Sequence, residues 1–350
     1  ARHIRTHPLA ITMWDFSWLE RRWPGAGYED WDLALGELSA RGYDAVRIDA
    51  YPHLTAHGAE KTWNLKPQWN QQDWGAPALC RVQVRPALNE FLSACKRHGI
   101  KVGLSSWYRE ETPQVSGNYR SGEQQGADWK TALDGIAAAG LLDTVLYVDL
   151  CNEFPLSVWC PWLPKDFRRN SPQGAVCRAS CPQFDYCCSF TSEYDRWQSE
   201  DVSMHDFLEL HLWMTHFTDF YKQVGYHYER FDSKGYENLV AKGETLYRSK
   251  PDYWNAKLAE GVKWAAEWSL SRNKPLITTE CWRVVDYKDW PLLHWDWIKE
   301  LCETGVRTAA ATGRWAAIAT SNFCGPQFAG MWRDVAWHRR MTDIIHSAKL

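Results

Sequence analysis

Leu146-Tyr147-Val148-Asp149-Leu150-Cys151-Asn152-Glu153-Phe154 is the stretch whose reading decides the fold. Five of its first six residues are apolar or aromatic, the composition of a strand buried on both faces, as in a parallel sheet covered by helices. Strand alternation predicts Tyr147, Asp149, Cys151 and Glu153 on one side and Val148, Leu150 and Asn152 on the other. Pro155 stops ladder pairing just beyond, which leaves Glu153 near the mouth of the sheet. A carboxylate there can do chemistry; the plain alternative is a strand-end Glu pointing into water.

Outward from this stretch a strand, loop, helix, glycine pattern repeats. Strands are expected at 11–14, 43–51 and 100–105, with helices at 30–40, 85–97 and 127–139 closed by Gly42, Gly99 and Gly140. Four consecutive units of this kind demand right-handed parallel crossovers, hence an α/β sheet. Further strands read at 187–191, 207–213, 275–280 and 315–323, with helices at 254–272, 292–303 and 335–345. Eight strands predict a (β/α)8 TIM barrel with long loops at its C-terminal face. Such a barrel uses about 250 residues. The 350 residues present leave room for insertions near 52–84, 155–186 and 214–252, and no linker divides 1–350 into separate domains.

Composition narrows the function. Hydrophobic residues at 45% and charged residues at 24% exclude a disordered chain. A net charge of −3 without a basic run argues against a nucleic-acid partner. No apolar run reaches the roughly 18 residues of a membrane span, and no signal-like h-region opens the chain. That absence, with an odd cysteine count, favours a cytoplasmic location, while processing ahead of Ala1 leaves secretion open. Of the 11 cysteines, Cys151 and Cys281 read as buried thiols within strands. Cys160, Cys177, Cys181, Cys187 and Cys188 cluster in a loop-like stretch whose spacing fits no zinc pattern; local disulfides are the alternative there. Neither a metal nor a cofactor is expected. The 23 tryptophans suit both core packing and stacking against sugar faces.

Glu153 and Glu280 each end a short buried strand, three βα units apart, so both are expected over one barrel mouth. Two facing carboxylates about 5 to 5.5 Å apart are what retaining glycoside hydrolysis requires. Arg47, flanked by Val46 and Ile48, points inward and needs a carboxylate, with Asp149 another candidate partner. In the sixth strand Glu209, His211 and Trp213 face the lumen. Asn152-Glu153, Glu280 and Val46-Arg47-Ile48, in this order, resemble glycoside hydrolase clan A in the manner of family 5 cellulases, and most closely its cellulase-like family, over nearly the whole chain. The resemblance implies a retaining double displacement on a carbohydrate. In it Glu153 is the acid/base, Glu280 the nucleophile, Asn152 a partner of the sugar 2-hydroxyl, Arg47 the group orienting Glu280, and His211 a neighbour of the nucleophile. Ser105-Ser106-Trp107 departs from family 5, which usually has a histidine at the end of strand three. Asp49, Tyr51, Trp107, Trp213, Trp282 and Asn322 are further candidates for sugar contacts. The roles require a raised pKa at Glu153 and an ionised Glu280. Long loops favour exo action on a β-glycoside; an endo-acting glycanase and a catalytically silent sugar-binding barrel are the alternatives.

Overall fold

The computed structural model describes residues 7–58, 61–67, 74–109, 121–154, 178, 181–193, 197–227, 233–284 and 294–350. Among these, eight short runs form one parallel sheet: β1 (Leu9–Met13), β2 (Ala45–Asp49), β3 (Lys101–Ser105), β4 (Val145–Asp149), β5 (Asp185–Cys187), β6 (Leu208–Glu209), β7 (Leu276–Thr278) and β8 (Trp315–Ala319). Around the sheet the order is β5-β4-β3-β2-β1-β8-β7-β6. The last gap is bridged by a parallel pairing of Phe190 with Leu210. There Phe190 N donates to Glu209 O (2.8 Å) and His211 N to Phe190 O (3.0 Å), which brings the sheet round into a barrel. β1, β2 and β4 are buried along their whole length, which is why their sequences are largely apolar, broken by Thr12, Arg47, Asp49 and Asp149.

Helices cover the outside: α1 (Trp31–Ala40), α2 (Val84–Arg97), α3 (Gly122–Ala138), α4 (Ser233–Ser249), α5 (Pro251–Arg272), α6 (Asp296–Thr312) and α7 (Val335–Ser347). α1 illustrates the local logic. Asp30 caps it by accepting from Leu33 N, and its buried stripe is Trp31, Ala34, Leu35 and Leu38. α3 opens in the same way on Ser121, whose side chain accepts from Gln124 N. Two glycines mark close approaches. A Cβ on Gly103 in β3 would lie 2.3 Å from Tyr147 Cζ inside the barrel, and one on Gly305 in α6 would lie 2.3 Å from Trp282 Cδ2.

Apart from the third, which ends at Ser105 as expected, the expected strands overrun the observed ones at their C-terminal ends. After Asp149, Leu150 N donates to Cys187 O on the β5 side (2.8 Å), whereas Asn152 N donates to Ser106 O on the β3 side (2.9 Å). In a regular strand residues two apart bond the same neighbour, so the backbone rotates between them and alternation lapses. Glu153 then adopts φ +47°, and Tyr51 and Tyr108 take φ +48° and +52° beyond β2 and β3. The stretch 207–213 likewise divides into β6 and Leu212–Trp213, which pairs with Cys281–Trp282 as a separate parallel pair.

Segment 52–84 is less bare than its composition suggests, holding a helical turn at Pro52–Thr55 and an antiparallel pair of Trp63–Leu65 with Cys80–Val82. In 214–252, Met214–Phe217, Phe220–Val224 and α4 are helical, and α4 buries Tyr236, Leu239 and Tyr247. Trp69, Cys160, Cys177 and residues 155–177 lie outside the described residues. The nine described cysteines are free, Cys151, Cys281, Cys181, Cys187 and Cys188 being buried thiols, so no local disulfide joins the described members of the cluster. Many tryptophans are core: Trp14, Trp18, Trp63, Trp129, Trp197, Trp254, Trp282, Trp297 and Trp315 are among the largest fully buried side chains. No described helix is long and apolar enough to cross a membrane.

Candidate active site

Arg47, in the middle of β2, is the hub. Its Nε and Nη2 donate to the two oxygens of Asp15 (2.9 and 2.6 Å), in the turn two residues past the end of β1. Nη2 also donates to Glu280 Oε2 (2.8 Å) and Asn152 Oδ1 (2.9 Å), and Nη1 to Glu209 Oε1 (3.0 Å) and Thr279 Oγ1 (2.8 Å). The guanidinium is fully buried. Such burial is tolerable only because three carboxylates surround it, and they hold its pKa well above the ordinary value against the opposing effect of burial.

His211 links the hub to Glu153. Its Nδ1 lies 2.9 Å from Glu153 Oε1 and 3.1 Å from Glu280 Oε2, so this nitrogen carries a proton in either charge state. Its Nε2 lies 3.0 Å from Arg47 Nη1 and 3.5 Å from Glu209 Oε1. When neutral it accepts from Arg47; when charged it turns an N–H toward Glu209. Burial opposes the charge, but Glu280, Glu153 and Glu209 outweigh it and lift the imidazole to about 10.

The two glutamates depart from the expected ionisation. Burial lifts Glu280 to about 7, with the charges of Glu153 and Asp15 adding to it against His211 and Arg47. Burial also pushes Glu153 up, but the hydrogen bond and charge of His211 prevail and hold it below the ordinary carboxylate value. The expected order is thus reversed, Glu280 being raised and Glu153 held low. The partner of both is His211, whose position between them sequence spacing could not convey.

Asn152 joins the site through the backbone rotation after β4, not through strand alternation, and its buried Nδ2 has no hydrogen-bond partner among the described residues. Trp107 is half-buried. Its Nε1 donates to Asp15 Oδ2 (2.6 Å) and its backbone N to Asp49 Oδ2 (2.8 Å). Trp213 lies edge-on to His211 at 5.9 Å, with a buried Nε1 that has no hydrogen-bond partner among the described residues. Other expected sugar contacts brace the scaffold. Both oxygens of Asp49 accept backbone N–H groups, from Tyr51 and Trp107, and burial lifts its pKa to about 7. Tyr51 is fully buried and donates to Glu20 Oε2 (2.5 Å). Trp282, also buried, donates to Ala319 O (2.9 Å) and packs on Gly305. Asn322 is 2% exposed, its backbone N donating to Cys281 O (3.0 Å) and its O accepting from Trp74 Nε1. Asp149 feels the Arg47 charge but makes no hydrogen bond or ion pair with it; it accepts from Ser105 Oγ and Ser189 N (both 2.8 Å).

Asp15, Glu209 and Thr279 belong to the hub without having been singled out as site residues. Asp15 directly follows the apolar run of the first strand and Glu209 shares the inward face of His211, so both left a signal. Glu153, His211 and Glu280 present one oxygen or nitrogen each within 4.8 Å of one another, a set that could ligate a metal. The Arg47 guanidinium already occupies Glu280 Oε2 at 2.8 Å, and that fixed charge opposes a divalent cation at the same oxygen. The set is better matched to holding protons.

The profile of the family described as sugar-binding cellulase-like matches residues 11–346. A solved structure from Parabacteroides distasonis, of a protein proposed to be a glycoside hydrolase, is 50% identical; it covers 99% of this chain and 95% of its own, with a TM-score of 0.94. A family 5 mannosidase from Rhizomucor miehei superposes with a TM-score of 0.57 at 10% identity, covering 97% of this chain and 93% of its own. A GH5_18 protein from Streptomyces cattleya in complex with GlcNAc gives a TM-score of 0.51 at 12% identity, covering 90% and 70%. Likeness at these lower identities concerns the fold. No curated protein matches in sequence. With the profile spanning almost the whole chain and the barrel closed around Arg47, this protein belongs to the cellulase-like family of clan A glycoside hydrolases.

Proposed function

We propose that the protein cleaves β-glycosidic bonds with retention, through a glycosyl-enzyme formed on Glu280. The observation that carries this reading is spacing. Interacting oxygens of Glu153 and Glu280 lie within 4.8 Å of each other, close to the roughly 5 to 5.5 Å of retaining sites and well short of the roughly 6.5 to 9.5 Å that admits a water in inverting ones. Glu280 Oε2 is fixed by Arg47, and the carboxylate attacks the anomeric carbon as the bond to the leaving oxygen breaks. Glu153 delivers a proton to that oxygen. Its Oε1 shares a 2.9 Å contact with His211 Nδ1. A bound sugar that excludes water from Glu153 favours the protonated carboxyl. In the second step a water attacks the anomeric carbon and gives its proton to Glu153, releasing Glu280. Asn152 Nδ2, buried and without a partner among the described residues, is offered to a sugar hydroxyl. A carbohydrate partner is also in keeping with the sugar bound in the Streptomyces cattleya structure. Exo action on an oligosaccharide or glycoside is the favoured mode, since the segments inserted after β2 and β6 carry ordered structure at the mouth.

Glu153→Gln tests the acid role. It should lower kcat/KM for an unactivated glycoside by at least about a hundred-fold while barely changing kcat/KM for a dinitrophenyl glycoside, whose leaving group needs no proton; kcat falls on both, because the second step loses its base. Equal losses of kcat/KM on both substrates would remove Glu153 from that role. Analysis of the first-formed anomer by NMR tests retention directly.

A further inference from the structure

We propose that Asp15, just beyond the end of β1, is a positioning residue that holds Arg47 in register with Glu280 and at the same time clamps the indole of Trp107 at the barrel mouth. The inference rests on Glu280 being the nucleophile.

The geometry demands a carboxylate at this position. Asp15 Oδ1 accepts from Arg47 Nε (2.9 Å), and Oδ2 accepts from both Arg47 Nη2 and Trp107 Nε1 (2.6 Å each). All three neighbours are donors, so an amide would set its NH2 against an N–H whichever way it turned. The backbone of Asp15 is tied down as well, its O accepting from Asp49 N (3.0 Å). Trp107 is gripped at two points, the indole by Asp15 and the backbone N by Asp49 Oδ2, while its ring meets Phe16 edge-on at 5.4 Å. A half-buried tryptophan held in this way presents a fixed wall. Bidentate pairing with Asp15 also sets the plane of the guanidinium, and that plane aims Nη2 at Glu280.

Electrostatics gives a readout that packing alone would not move. The charges facing Glu280 are Arg47 from β2, His211 beyond β6, Glu153 beyond β4 and Asp15 beyond β1; Arg47 is further shared with Glu209 on β6. Asp15 engages part of the Arg47 charge and adds its own negative charge, both of which favour the protonated form of Glu280. Removing that charge has the opposite effect.

Asp15→Asn should therefore move the acidic limb of the kcat/KM profile to lower pH by about one unit and raise KM several-fold as Trp107 loosens. Trp107→Phe, which loses only the indole donor and part of the ring, should raise KM without moving the acidic limb. The double variant should have a KM no worse than the worse single variant, because both act through one contact. An unmoved limb in Asp15→Asn, or additive KM effects, overturns the proposal. Should Asp15→Asn fail to fold, Trp107→Phe decides alone, and an unchanged KM is then sufficient to reject the clamp. Azide rescue of Glu280→Ala, described below, separates the two levels of inference. If rescue works and Asp15→Asn behaves like wild type, only the role of Asp15 falls; if rescue fails, the nucleophile assignment falls first.

Discussion

Glu280→Ala will lower turnover by at least about ten-thousand-fold, the scale seen when a covalent nucleophile is removed, and Glu280→Gly will do the same. The protein will still fold. Glu280 is buried, but its loss leaves Arg47 bidentate to Asp15 and bonded to Glu209, so the guanidinium keeps two carboxylates. The truncated side chain opens space on the face from which the anomeric carbon is attacked. Azide admitted there should restore turnover of an activated glycoside and yield a glycosyl azide of inverted configuration, because one displacement has replaced two. Wild-type turnover in Glu280→Ala would sink the assignment, as would an azide product of retained configuration. In the wild type, the acidic limb of kcat/KM should lie near pH 7, where the buried carboxyl ionises.

Arg47→Met is expected to have the largest effect on stability. The substitution nearly preserves length and removes the charge, leaving Asp15, Glu209 and Glu280 buried without their shared partner. Removing one member of a buried ion pair typically costs about 3 to 5 kcal/mol, and a markedly lower Tm should follow. The loss should also depend on pH. Already in the wild type the folded chain holds a proton on Glu280 between its ordinary value of 4.5 and about 7 that the unfolded chain has released, so this group's contribution favours folding at low pH and fades as pH rises through that window. Without the Arg47 charge the folded pKa rises further. Destabilisation of Arg47→Met relative to wild type should accordingly grow from pH 5 toward pH 8, and the acidic limb of kcat/KM should move to higher pH. A Tm difference that is flat across this range, with an unmoved limb, would mean that Arg47 does not govern the ionisation of Glu280.

How far the sequence could be read depended on the range of the interaction involved. β1, β2 and β4, and α1 with its Asp30 cap, are set by neighbours in the chain: apolar runs that must be buried, a 3.6-residue stripe, a capping side chain three residues from the N–H it meets. Their existence and order were legible, and with them the barrel, since parallel strands with short crossovers have few other ways to close. Placing Glu153, Glu280 and Arg47 at one mouth needed nothing more than strand count and direction.

What lay beyond reach was set by contacts between residues far apart in sequence. Alternation assigned Asn152 to the face opposite Glu153, but a switch of hydrogen-bonding neighbour between Leu150 and Asn152, followed by φ +47° at Glu153, brings both into the site. Trp282 and Tyr51 read as sugar contacts because strand ends often supply them. Only the packing of α6 at Gly305 and the position of Glu20 show that they are buried braces. The ionisation of the two glutamates was the least legible feature. It is decided by His211, 58 residues from Glu153, standing within 3.1 Å of both carboxylates, and by Asp15 dividing the charge of Arg47. Local sequence specifies which groups are present and roughly which way a strand delivers them; Coulomb energy in a buried site varies with distances of a few ångströms, and those distances exist only once the barrel has closed.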